Sequence, residues 1–255
     1  MSTLPINQII QGDCRAVMAD WPENSVDLGV VDPPYAQTSL QWDRPVAGWP
    51  AVMPTRSMWV FGSLRAFVAM WDELVDWKLS QDLVWEKHNG SNFHADRFRR
   101  VHEQVAHFYR GRWLAIYHKP VFTRGATKRT LRRTCKPQHL RRIGDRAYES
   151  QDGGPLLMRS VLHVRSCHGT ALHPTQKPLD MVRPLIEYAC PPGGTVVVPF
   201  CGSGTTCVAA KMLGRNYIGI EVSGEYCEIA RQRLAAVETG VPVAERRAGQ
   251  RGLFE

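Results

Sequence analysis

The chain has no apolar run near the roughly 20 residues needed to cross a bilayer. Its opening, MSTLPINQII, has no basic stretch leading into an apolar one, so a secretory signal is not expected and a cytoplasmic location is. No CxxC or HxxxH pair occurs, so no metal ligand is assigned. The seven cysteines are odd in number and follow no framework spacing, which suits free thiols in a reducing compartment. Acidic residues are scarce in one place: residues 97–165 hold 4 Asp and Glu against 17 Lys and Arg. The whole chain is +8, so the remainder is net negative. A basic block set in an acidic body points to a polyanionic partner. Aromatic residues interleave that block (Phe98, Phe108, Tyr109, Trp113, Tyr117, Phe122), which favours an ordered binding surface over a tail.

What is present begins with GVVDPPY at residues 29–35. The apolar run 26–31 has the pattern of a buried strand, and two prolines stop it, fixing φ and forbidding helix or continued pairing. Asp32 and Tyr35 therefore sit on a stiff loop at the carboxyl end of a strand, where open α/β sheets bind ligands. Further strands are expected at residues 57–61, 82–87, 104–111, 195–200 and 216–222. Helices are expected at 16–21, 64–77, 179–189, 205–213 and 225–237. Residues 112–165 show no clear period. Strand–helix alternation at both ends implies a mainly parallel sheet with helices on both faces.

A second constellation is FCGSGTT, residues 200–206, between an expected strand and helix. Gly202 and Gly204 let the backbone approach a ligand, and a helix N-terminus follows with free N–H groups. A P-loop needs a lysine that this loop lacks, and a dinucleotide fingerprint needs a third glycine where Cys207 stands. Glu221, 19 residues past Gly202 at the end of the next strand, is placed to grip the two hydroxyls of a ribose. A nucleoside without a pyrophosphate is expected, and S-adenosylmethionine fits.

DPPY (32–35), HPTQKP (173–178) and FCGSGTT (200–206), in that order with the basic block between, resemble the β class of DNA amino-methyltransferases. The resemblance implies a class I, Rossmann-like methyltransferase fold with permuted motif order and a basic target-recognition insertion. It divides the chain into a catalytic half (1–110), a target-recognition region (111–165), a cofactor half (166–238) and a tail (239–255). Asp32, Pro33, Pro34 and Tyr35 would form the catalytic loop. The resemblance implies S-adenosylmethionine held by Phe200, Cys201, Gly202, Ser203, Gly204, Thr205, Glu221 and Val222. Asp13 and Cys14 would lie at its adenine, and Asp32, Thr175, Gln176 and Lys177 at its methionine end, with Lys177 on the carboxylate. The family usually has an acid where this chain has Val198, which leaves the cofactor's ammonium to Asp32 or backbone carbonyls.

The implied reaction is direct methyl transfer to an exocyclic amine. Two acceptors, Asp32 and the Pro33 carbonyl, would align the lone pair of a base flipped out of double-stranded DNA, and Tyr35 would stack on it. An opening Asp in the loop favours adenine N6; cytosine N4 transfer, or a DNA-binding chain without catalysis, stays the alternative. Arg124, Lys128, Arg129, Arg132, Arg133, Arg141 and Arg142 are the expected DNA contacts. Glu103 resembles a recurrent family acid and is expected to be structural. A homodimer is implied by the resemblance. The ending QRGLF resembles a sliding-clamp ligand through Gln250, Leu253 and Phe254.

Overall fold

A computed structural model describes residues 4–36, 43–91, 96–131, 148–167, 171–173 and 175–239. Its elements in chain order are β1 (Gln8–Gln11), α1 (Cys14–Met18), β2 (Leu28–Val31), β3 (Ser57–Gly62), α2 (Leu64–Met70), β4 (Lys78–Ser91) and β5 (Arg100–Tyr109). Then come β6 (Phe122–Arg124), β7 (Arg129–Leu131), β8 (Tyr148–Ser150), β9 (Pro155–Leu157) and β10 (Val161–His163). The chain ends with α3 (Leu179–Ala189), β11 (Thr195–Val198), α4 (Thr205–Met212), β12 (Asn216–Glu221) and α5 (Gly224–Thr239). Among the described residues, those up to Lys119 and from Ser160 onward form one compact unit, and Pro120–Arg159 form a second.

The first unit is built on an eight-stranded sheet in the order β1-β12-β11-β2-β3-β5-β4-β10. Only β5 runs against the others. This is the mainly parallel, Rossmann-like sheet that the apolar runs imply. Every residue of β2, β3 and β11 is buried, as expected for strands covered on both faces. The strand order reverses between β2 and β11: from β2 the chain moves outward to β3, and from β11 outward to β12. Such a reversal opens a crevice beyond the carboxyl ends of the two strands.

Three elements differ from the sequence-based expectation. The helix expected at 64–77 is α2 followed by a 3₁₀ turn, Trp71–Leu74. It buries Ala66, Phe67, Leu74 and Trp77 but exposes Leu64, Val68, Trp71 and Val75, so its apolar residues serve two faces. The strands expected at 82–87 and 104–111 are longer members of an antiparallel pair, β4 and β5, with a bulge between Leu79 and Gln81. The aperiodic region 112–165 contains short strands. β10 joins the large sheet, while β6–β9 and β7–β8 make two small antiparallel pairs within the second unit. Strands of three residues, exposed throughout in β6 and β9, carry no apolar alternation for a sequence reading to detect.

Candidate active site

The crevice at the strand reversal holds a cavity of about 400 Å³. Asp13, Cys14, Asp32 and Pro34 line it from the amino-terminal strands. Thr175, Gln176 and Lys177 line it from the loop before α3, and Phe200, Cys201, Gly202, Ser203, Thr205, Glu221 and Val222 from the ends of β11 and β12. Residues separated by nearly the whole chain thus meet because parallel strands end on one edge.

Each acid is positioned locally. Asp13 caps α1, accepting from the Arg15 backbone N–H at 2.9 Å, while the Arg15 Nε reaches the same carboxylate at 3.0 Å. Those bonds, the side-chain one foremost, lower its pKa to about 2. Glu221 Oε2 accepts from the Gly202 N–H at 2.9 Å and Oε1 from the Ser223 N–H at 3.0 Å, which ties the last residue of β12 to the glycine loop. Asp32, directly after β2, takes the Tyr35 hydroxyl on Oδ1 and the Lys177 ammonium on Oδ2 at 2.6 Å.

The two loop glycines differ in role. Gly202 has φ +49° and faces His173 across the cavity lining. Gly204 is not part of that lining: it caps α4 at φ +79°, and a Cβ there would fall 2.7 Å from the Cβ of Ala230. It lets α5 approach the loop. Pro33 is buried, and neither it nor Tyr35 lines the cavity.

Lys177, expected at the methionine end of the cofactor, lines the cavity and also reaches two carboxylates. Its ammonium was expected at the cofactor's carboxylate; the structure pairs it with Asp32, and at 3.5 Å with Glu103 Oε2. The side chain is only 8% exposed. Burial alone would lower its pKa; the carboxylates of Asp32 and Glu103 more than reverse that, so it stays charged. Burial would likewise raise the Glu103 carboxyl, but Lys177, Lys87 and Arg100 outweigh it and hold it below its usual value. The rings of Phe61 and Tyr35 lie 5.2 and 5.7 Å from the Lys177 ammonium. Burial pushes the Tyr35 phenol well up, and the charge of Asp32 adds to this.

The sequence reading assigned no role to several residues at this site. His173 lines the cavity and meets the Tyr226 ring edge-on at 4.3 Å; burial lowers its pKa to about 4, so it is neutral at pH 7. Arg233, from α5, donates to the Ser203 carbonyl at 2.7 Å and the Thr205 hydroxyl at 2.9 Å, bracing the glycine loop from behind. Nothing in an amphipathic helix pattern marks that arginine. Val198, noted as standing where the resembled family usually has an acid, is a buried apolar wall of the cavity.

Of the expected DNA contacts, Arg124 and Lys128 are exposed in the second unit, and Arg129 lies in β7. Arg132, Arg133, Arg141 and Arg142 fall outside the described residues, as do Gln250, Leu253 and Phe254.

The donor set fits one kind of guest. The carboxylates in the lining are Asp13, Asp32, Glu221 and Glu225, against one ammonium, among apolar walls from Val30, Val198 and Phe200. A carboxylate-rich, partly apolar crevice of this size suits a nucleoside carrying positive charge.

The N6/N4 methyltransferase family model, described as DNA methylase, matches residues 26–232, and the chain belongs to that family. YubD of Escherichia coli (strain K12) is 31% identical over 236 residues, covering 91% of this chain and 92% of its own. The type II methyltransferase M.HinfI of Haemophilus influenzae is 27% identical over 266 residues, covering 91% of this chain and 69% of its own. Among solved structures, the M1.HpyAVI–SAM complex superposes with a TM-score of 0.60 at 26% identity, covering 89% of this chain and 99% of that one. The cytosine-N4-specific PvuII DNA methyltransferase has the same TM-score at 16% identity, over 96% and 92%, a likeness of fold alone. The chain is a methyltransferase with the class I fold, and its family uses S-adenosylmethionine.

Proposed function

We propose that the chain methylates the N6 amine of adenine, flipped out of double-stranded DNA at a specific site. The observation that carries this reading is Asp32. It is a half-buried carboxylate at the cavity, on a proline-stiffened loop that follows a central strand. S-adenosylmethionine, when bound, supplies a methyl group on a sulfonium whose carbon–sulfur bond breaks with its electron pair left on sulfur. Glu221 would hold its ribose, and Asp13 its adenine. An ionised carboxylate has about four acceptor sites. Tyr35 and Lys177 occupy two on Asp32, so acceptor capacity remains for an amine N–H. Accepting that N–H localises the nitrogen lone pair and opposes the positive charge that builds on nitrogen. The nitrogen then sheds one proton, to Asp32 or to water, and the amine is neutral again.

The opening Asp of the loop supports adenine over cytosine. Arg124, Lys128 and the neighbouring basic residues would meet phosphate. A second copy of the chain, and a clamp bound through Gln250, Leu253 and Phe254, complete the partners we infer, in the cytoplasm. The test is incubation with labelled S-adenosylmethionine and DNA, followed by nucleoside analysis. N6-methyladenine is expected; N4-methylcytosine would move the reading to the other branch of the family. Asp32→Ala should abolish transfer while S-adenosylmethionine still binds, and transfer at the unmutated rate would refute the role given to Asp32.

A further inference from the structure

We propose that Glu103 is a positioning residue for the transfer: its Oε2, only loosely paired with Lys177 at rest, is a second seat that draws the ammonium in when a substrate amine claims Asp32 Oδ2. The inference rests on the reading that Asp32 accepts that amine.

The geometry offers two seats about an ångström apart in reach, 2.6 Å to Asp32 and 3.5 Å to Glu103. Glu103 Oε2 is buried and makes no hydrogen bond among the described residues. The other oxygen, Oε1, is held by Lys87, whose ammonium lies 4.6 Å from the Trp85 ring. That contact leaves Oε2 on the Lys177 side. Glu103 stands on β5 opposite Trp85 of β4, next to Gln104, the last β5 residue paired with β3, so the seat is held by the sheet.

Asp32 has acceptor sites to spare, so it is charge rather than space that favours moving the ammonium. A buried ammonium cannot be left without a carboxylate, because its desolvation is then uncompensated. Yet an ammonium held on Asp32 Oδ2 opposes the positive charge that must build on the substrate nitrogen at the same carboxylate. Movement toward Glu103 resolves both demands. The ion pair is kept, Oδ2 is freed, and the like charge recedes from the reacting nitrogen. The Phe61 and Tyr35 rings flank the ammonium and give it an electrostatically favourable wall as it moves.

The test is single-turnover transfer from labelled S-adenosylmethionine to DNA, with affinity for S-adenosylmethionine and thermal melting measured separately. Glu103→Gln should slow transfer roughly 10- to 100-fold, since a neutral acceptor holds an ammonium more weakly. Its S-adenosylmethionine affinity should stay within about twofold, because the change lies outside the nucleoside's contacts. Adding Lys177→Met to Glu103→Gln should restore at least about fivefold of the lost rate, because the trapped ammonium is gone. A purely structural Glu103 predicts no such rescue. Glu103→Asp, which keeps the charge on a shorter arm, should give an intermediate rate and serves if the Gln variant does not fold.

A Glu103→Gln rate equal to the unmutated one, or a double variant no faster than it, overturns the inference and leaves the function of Asp32 intact. An unmutated chain that transfers no methyl group, or an Asp32→Ala chain that transfers normally, overturns the functional reading and this inference with it.

Discussion

Gly204→Ala separates two strains that the structure places on one atom. The residue sits at φ +79°, where an L side chain costs about 1–2 kcal/mol. Its new Cβ would also lie 2.7 Å from the Cβ of Ala230, so α5 must move away from the glycine loop. Overpacking of that kind costs about 1–3 kcal/mol. The sum, roughly 2–5 kcal/mol, is a large part of the 5–15 kcal/mol that keeps a domain folded. At about 2–4 °C per kcal/mol for a chain of this size, the melting temperature should fall by about 4–20 °C. Gly202→Ala is the control: φ is +49° there and the nearest atom, on His173, is 3.6 Å away, so only the conformational part applies. Its fall should be about 2–8 °C. Adding Ala230→Gly to Gly204→Ala should remove the steric part when read against Ala230→Gly alone, which costs about 1 kcal/mol as a glycine inside α5. Differential scanning fluorimetry reads each variant. Equal shifts for the two single variants, or no recovery in the double, would refute the assignment of Gly204 to packing and Gly202 to the cavity.

Three further outcomes are expected. Glu221→Gln keeps one acceptor oxygen where two backbone N–H groups are now held, so calorimetry should show S-adenosylmethionine binding about tenfold weaker or worse. Arg233→Met removes the donor shared by Ser203 and Thr205 and should cost about 2–3 kcal/mol in urea denaturation. His107, buried between Ser57 and Ser80 at 2.9 and 2.5 Å, has its pKa lowered by burial to about 4. Between its unfolded value near 6.5 and about 4, only the unfolded chain takes up this proton, so stability is complete above that window and falls through it as pH drops. The loss should be about 2 kcal/mol by pH 5, and His107→Asn should flatten that slope in urea titrations at pH 7.5 and 5.

How far the sequence disclosed the site follows from the kind of signal each part leaves. Central parallel strands are apolar on both faces, so residues 28–31 and 196–198 stand out as short unbroken runs, and the abrupt DPPY and PFCGSG that follow mark where they end. Glu221 was legible as a residue at the strand ends because it closes the apolar run of β12, and it does line the cavity. Lys177 was not. Its motif places it near the cofactor half, but its partners come from residues 32 and 103, and no local pattern announces which carboxylate an ammonium will meet. The exposed stripe Leu64, Val68, Trp71 and Val75 misled in the opposite way: helical spacing predicts a buried face without saying how many faces a helix buries. The reversed strand β5 was unreadable as reversed, because direction leaves no trace in composition.

The strand order also sets when the protein can exist at all. Among the described residues β1 pairs only with β12, and β2 has β11 on one side, so the first strands to leave the ribosome wait for residues 195–221 to complete their ladders. Until then the β11-facing edge of β2, with Asp32 just beyond it, is unsatisfied backbone of the sort that aggregates. An unfinished or prematurely ended chain therefore presents half a crevice, without the glycine loop or Glu221. Synthesis itself keeps the enzyme silent until its last two strands have been threaded between the first two.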